Sequence, residues 1–314
     1  MPKVTLKNKT GLIDVTNMIS EITWSGSKSE IARKMELSFL YSLHDVHAPK
    51  IYPNIGDVMF LYADNGDELF RGKVFFNERV NEQGTIQITC YDDAIRLSKS
   101  KGTYNFKGKT AEAITTTVCN EIGISIGKLA STGINQKMLC SAKGMYEIIK
   151  EAYEAASLQN KKQYLPRMSK GKLNVIEVGS DVVDYILSDT TNIISSSYSE
   201  NAENVITRVK MYDENDKYIG VVENKELTSL LGVFQDNYTK EEDKQARTVA
   251  TNMLTGIERE ASVTVIGNVA CLSGSGIKIE DSATKLQGLF YIESDSHKWS
   301  NGQYTTDLTL EFKG

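Results

Sequence analysis

The residues that could carry chemistry are few, and their spacing suits none of the usual sites. There are three histidines. Two lie in HDVH, at His44 and His47, and offer half of a metal site. A zinc-binding H-E-x-x-H helix needs its imidazoles one residue further apart with a glutamate between them. No Cys or Asp/Glu cluster within reach completes the set, so this stretch reads as a polar loop between strands. His297, in SDSHKW near the end of a strand pattern, reads as a hydrogen-bonded structural histidine. Paired carboxylates could serve a glycosidase, but Asp92-Asp93 reads as a helix cap. Glu241-Glu242-Asp243 reads as the first turn of a helix, where negative charge suits the dipole. Cys90, Cys119, Cys140 and Cys271 have no C-x-x-C spacing and read as reduced, half-buried thiols. SGSKS and SGSG lack the G-x-S-x-G elbow, and GISIG (Gly123–Gly127) lacks the lysine and third glycine of phosphate or dinucleotide loops. The residues therefore assign no catalytic, metal or cofactor site. The expectation is a scaffold, not an enzyme.

Composition narrows the class further. A chain of 314 residues has room for two or three domains, and 40% apolar with 25% charged residues calls for packed cores. The net charge of −5, with Lys and Arg scattered, lacks the basic stripe of a nucleic-acid binder. MPKVTLKNKT has no apolar signal region, and the apolar runs, such as Leu230 to Phe234, are far below the roughly 18 residues that suggest a membrane span. We expect a protein made and folded in the cytoplasm, without membrane insertion.

Elements that could position side chains are more legible. The first hundred residues read as strands at Val4–Leu6, Ile22–Trp24, Lys34–Leu43, Val58–Ala63, Glu68–Phe76 and Thr85–Tyr91. Turns are expected at Ser25-Gly26-Ser27, at Asn54 to Asp57, at Asp64-Asn65-Gly66-Asp67 (with a type I′ Asn-Gly) and at Asn81 to Gly84. A short helix is expected from Asp92, as N-cap, to Ser98. Residues 101–187 read as an α+β insert. One helix is capped by Thr110 and closed by Gly123, a second covers about Lys143 to Ser157, and a hairpin turns at Ser169–Gly171. From 188 the chain returns to β, with a hairpin around Glu214-Asn215-Asp216. A long amphipathic helix is expected at about 240–258, with a Thr239-x-x-Glu242 capping box and a stripe of Ala246, Val249, Ala250, Met253, Leu254 and Ile257. Strands follow at Ala261–Ile266, Ile277–Glu280, Phe290–Lys298 and Thr305–Phe312.

The two β regions repeat an order. Gly56-Asp57-Val58 leads to a strand, then RGKVFFNERV, a glycine turn at Gly84 and TIQITCYD. Gly276-Ile277-Lys278 leads to a strand, then QGLFYIESDSHKW, a glycine turn at Gly302 and YTTDLTLEF. The fold class expected is mainly β: two related small antiparallel barrels, 1–100 and 188–314, separated by the α+β insert 101–187.

These segments also carry a family resemblance. ISEITWSGSKSEIARKMELSFL, GDVMFLY with ELFRGKV, CYDDAIRLSKSKGTYNF, ENVITRVKMYDENDK, ATNML and GLFYIESDSHKWSNGQYTTDLTLEF occur in the order found in the XkdQ/YqbQ family. That family comprises hub proteins of PBSX-type prophage tails, similar to the baseplate hubs of contractile phages and to the N-terminal part of type VI secretion (VgrG) spikes. The resemblance implies a structural role: three copies of a chain with two similar barrels would make a pseudo-six-fold ring adapting a six-fold tail tube to a three-fold spike. It implies a homotrimer whose partners are the tube protein, the central spike and other baseplate proteins. DNA would pass through the ring without specific binding, no cofactor is needed, and the chain would reside in a virion or a tail-like bacteriocin. Because the sequence closes at Gly314 just after its last strand, the spike is expected to be a separate protein. Two readings of other classes stay open: a tail-associated peptidoglycan hydrolase using an Asp/Glu pair, and a carbohydrate- or receptor-binding tail module with exposed aromatics. Trp24 and Trp299 sit at strand positions that look structural.

Overall fold

Alternating side chains dictate where the main core forms. In Lys34–Leu40, Met35, Leu37 and Phe39 are buried while Lys34, Glu36 and Ser38 stay partly exposed, as a period of two requires. The computed structural model describes residues 1–41, 50–80, 84–241 and 244–312. The HDVH stretch, Glu242 of the expected capping box and Asn81–Gln83 lie outside the described residues. Contacts divide the chain into two units: Met1–Ser196 with Ser262–Gly314, and Ser197–Ala261.

In the first unit, Lys34–Leu40 is followed laterally by Thr85–Tyr91, Glu68–Val80, Val58–Tyr62, Lys3–Asn8 and Gly11–Asp14, every pair antiparallel. Its other neighbour is Ile19–Ser27. That strand pairs along its far edge with Leu286–Ser300, from Ser27 opposite Ser294 to Glu21 opposite Ser300. Leu286–Ser300 also pairs with Gly276–Asp281 and Gln303–Glu311. The mainly-β class built on antiparallel sheets is as expected; the two β regions join in one continuous sheet, and among the described residues no pairing that closes a barrel is seen. Turn signals report which strands share a hairpin. They are silent on the partner a strand finds across most of the chain.

Two turns also differ. Ser25-Gly26-Ser27 is strand, not turn. At Asp64–Asp67 only Gly66 has a positive φ (+86°), and the Ala63 carbonyl accepts the Gly66 N–H at 2.9 Å. This is a type I turn followed by a glycine bulge, because the Asn65 side chain clasps Asp67 and stays right-handed. The type I′ Asn-Gly turn is instead at Asn301-Gly302, φ +53° and +76°, between paired Ser300 and Gln303.

The repeat is visible as two meanders, Val58–Tyr62, Glu68–Val80, Thr85–Tyr91 and Gly276–Asp281, Leu286–Ser300, Gln303–Glu311. Each long middle strand carries a bulge, at Phe75 and at Glu293, nine residues before its turn glycine.

The α+β region forms helices Ala111–Glu121, with Thr110 Oγ1 accepting the Ala113 N–H at 3.4 Å, and Met145–Asn160. Gly123 follows the first at φ +66°. The hairpin Tyr164–Ser169/Lys172–Glu177 turns at Lys170-Gly171. The strands Lys101–Lys109 and Gln136–Gly144, which pair with each other, were not legible. Asp92 is not the cap of the short helix, which spans Ile95–Lys99 with Ala94 at its N-cap. Leu97 of that helix packs with Ile114, Val118, Ile148 and Ile149. Leu187 lies within the strand Val182–Ser188, which pairs with Gly276–Asp281.

The second unit is a three-stranded sheet, Tyr218–Glu223, Arg208–Tyr212, Gln235–Thr239, around a core of Val209, Met211, Val222, Tyr238 and Ala250. The long helix expected at 240–258 is only Ala246–Met253. Thr239 ends a strand, the Lys240 N–H donates to Tyr212 O at 2.8 Å, and Leu254 is already extended. The apolar stripe is real, since Ala246, Val249, Met253 and Leu254 flank that core, but strand pairing holds the chain before it. A second helix, Lys225–Leu231, was missed; its N-cap Asn224 accepts the Leu227 N–H at 3.1 Å.

Candidate functional site

Opposing strands bring the chemistry-bearing residues of the first unit to one place, the joint between Ile19–Ser27 and Leu286–Ser300. His297 lies opposite Trp24. The two rings stack with centroids 4.9 Å apart, and the Arg33 guanidinium covers Trp24 at 4.3 Å. Arg33 donates from Nη1 to Asp295 Oδ1 at 3.0 Å and from Nη2 to Asp295 Oδ2. Asp295 Oδ1 also accepts the Ser273 N–H at 2.6 Å, and Asp295 Oδ2 lies 3.2 Å from His297 Nε2. His297 Nδ1 is 2.9 Å from the Tyr304 hydroxyl and 3.1 Å from Thr306 Oγ1. Every member except Tyr304 is buried, His297 at 0% exposure.

Burial alone would raise the Asp295 carboxyl, but Arg33 and His297 outweigh it and hold the group well below the usual carboxylate range. Burial depresses His297 against the opposing pull of Asp295, which favours the neutral imidazole. An Asp–His pair of this kind can orient a proton acceptor in catalysis. Here the imidazole has no exposed edge, its Nδ1 faces two hydroxyls, and it stacks against Trp24 and Trp299. What the arrangement does is fix two distant strands in register with a buried ion pair.

Arg33 and Asp295 were not singled out by sequence reasoning, and the one signal available was misread. Gly26 is not there for a turn. A Cβ on it would sit 2.3 Å from Arg33 Nη1, so the glycine leaves room for the guanidinium. SGSG, set aside for lacking the nucleophile elbow, includes Ser273, whose N–H donates to Asp295 and whose carbonyl accepts Arg167 Nη1 at 3.3 Å.

The other candidates lie elsewhere. Asp92 is buried; its carboxylate accepts the N–H groups of Arg33 and Ala94, each at 3.0 Å, and burial pushes its pKa up to about 7 against those bonds. Asp93 is 3.5 Å from Lys73, and Glu241 pairs with Lys244 at 2.6 Å. All four cysteines are free and fully buried, not half-buried; burial pushes the Cys119 thiol up to about 11 and Cys271 up to about 12. Among the described residues no His/Cys/Asp/Glu group has the arrangement of a metal site, and no helix is long and apolar enough to cross a membrane.

The model of the YqbQ-like family matches residues 22–311, which includes every member of the joint. The chain belongs to the YqbQ-like family. It is 26% identical to YqbQ of Bacillus subtilis (strain 168) over 267 residues, 81% of each chain. Its fold is that of the 43 kDa tail protein of prophage MuSo2 from Shewanella oneidensis (TM-score 0.76, 14% identity, 99% of this chain and 98% of that one). It is also that of a tail protein from Neisseria meningitidis MC58 (TM-score 0.69, 13% identity, 99% and 97%). A looser likeness joins it to the E. coli c3393 protein, a type VI secretion component (TM-score 0.57, 8% identity, 94% and 74%).

Proposed function

We propose that this protein is a structural hub of a contractile tail baseplate, working without catalysis. The observation that carries the reading is the repeated meander inside a fold shared with tail proteins over 99% of the chain. Two near-equivalent β modules in each of three copies present six similar positions, which is what an adaptor between a six-fold tube and a three-fold spike requires. The α+β region would then lie between the two modules along the chain, in the division 1–100, 101–187 and 188–314. The partners are the tube protein, the spike and other baseplate proteins, and the chain resides in the assembled particle. The buried joint supports a scaffold role, because its Asp–His pair is spent on register.

Sedimentation velocity and electron microscopy of tails reconstituted with tube and spike proteins test this. The expected result is a trimer at the tube–spike junction. A chain that stays monomeric and never enters tails sinks the proposal. Zymography on purified cell walls tests the absence of catalysis, and clearing that vanishes on a carboxylate substitution would establish a hydrolase instead.

A further inference from the structure

The charge of this chain is unevenly held. Residues 197–261 contain eight Lys and Arg against thirteen Asp and Glu, so this unit carries the entire net charge of −5 while the rest of the chain balances. The same unit displays Leu230, Leu231, Val233 and Phe234 at 67%, 37%, 50% and 45% exposure, around Gly232. The helix Lys225–Leu231 buries none of its residues. A run this apolar and this exposed marks an interaction surface.

Its backbone is built to be displayed. Thr207, fully buried, holds both ends of the excursion. Its carbonyl accepts the Asn224 N–H at 2.8 Å and its N–H donates to Phe234 O at 3.0 Å. Its hydroxyl donates to Gly232 O at 3.1 Å and accepts the Phe234 N–H at 2.9 Å. Clamping a loop this way removes much of the ordering entropy that docking would otherwise oppose. From Glu226 to Thr239 there is no Lys or Arg, whereas Glu226 and Asp236 flank the run.

We propose that Leu230–Phe234 is a docking knob for a second protein that presents an apolar pocket rimmed by Lys and Arg. Charge selects this occupant over a second copy. A copy brings either the same acidic unit, which repels, or a remainder with no net positive charge.

The test uses the full chain and two synthetic amphipathic peptides, one of leucine and lysine and one with glutamate replacing every lysine. In fluorescence anisotropy the lysine peptide should bind at least about tenfold more tightly, and weaken as salt rises. L230S/F234S should lose at least about tenfold with an unchanged unfolding temperature, since both side chains are exposed. Should that variant not fold, E226K/D236K, which keeps the apolar run and takes this unit from −5 to −1, should cut the lysine peptide's advantage by at least about threefold. Equal binding of the two peptides overturns the proposal, as does affinity unchanged by either variant. Self-association that L230S/F234S abolishes in sedimentation velocity would make a second copy the occupant and overturn it too.

Discussion

The two meanders share a plan, and both middle strands bury apolar residues, but only the second also buries charge. In the first, the middle strand sends Phe70 and Val74 into an all-apolar core, and its bulge exposes Phe75 and Phe76 at 49%. In the second, the middle strand sends Asp295, His297 and Trp299 inward, and its bulge residue Glu293 accepts the Lys28 N–H. Even matched glycines serve different ends. A Cβ at Gly72 would lie 2.5 Å from the Tyr91 carbonyl oxygen, whereas Gly288 has open space but φ +119°. The difference follows from position in the sheet. The second middle strand is the one that meets Ile19–Ser27, and register between chain-distant strands is there held by directional bonds where apolar contact alone would permit slippage.

The largest effect should come from breaking that directional bond. Arg33→Ala leaves Asp295 buried and unpaired and should lower stability by about 3–5 kcal/mol in urea unfolding. Replacing both partners, Arg33→Met with Asp295→Leu, should recover much of this. A deficit of about 1–3 kcal/mol should remain because the Ser273 N–H loses its acceptor. A loss under about 1 kcal/mol for Arg33→Ala would mean that apolar contact sets the register in both meanders.

Buried titratable groups in the two regions should pull stability in opposite directions with pH. His297 has its folded pKa depressed by burial, so below the unfolded value of about 6.5 the unfolded chain binds the extra proton and stability falls with falling pH. Asp92, at the end of the first meander, is raised to about 7 by burial. Between its unfolded value of 3.8 and about 7 the folded chain binds the extra proton, so stability falls as pH rises through that window. His297→Gln should therefore flatten the acid side of the profile and Asp92→Asn the approach to neutrality, each read from thermal unfolding between about pH 4 and 8. The same change of slope in both variants would contradict the assignment.

What was legible in the sequence follows from the range of the forces involved. Hairpins such as Lys170-Gly171 and helices such as Ala111–Glu121 are encoded within a few residues by turn glycines, caps and one apolar stripe. Lys101–Lys109 was missed because its alternation is diluted by polar residues on both faces. The helix Lys225–Leu231 was missed because it buries nothing and so has no stripe to read. Arg33 and Asp295 were missed for a different reason: Arg33 is a charged residue just before one strand pattern and Asp295 a charged residue within another, and only their pairing makes them core.

The smallest effect probes how deep the likeness between the meanders runs. Gly84 and Gly302 each stand last before the third strand of their meander, at φ +59° and +76°, and no atom approaches within 3.4 Å of a Cβ built at either. Alanine at each meets only the left-handed backbone penalty, about 1–2 kcal/mol, without overpacking. Gly84→Ala and Gly302→Ala should therefore shift the urea midpoint by the same amount, within about 0.5 kcal/mol, and add in the double variant because the turns are independent. Unequal shifts would mean that the shared spacing of bulge and glycine reflects strand length alone, with the turns under different strain. Equal shifts would tie the repeat to backbone geometry, the one level at which these two regions, so different in what they bury, remain the same.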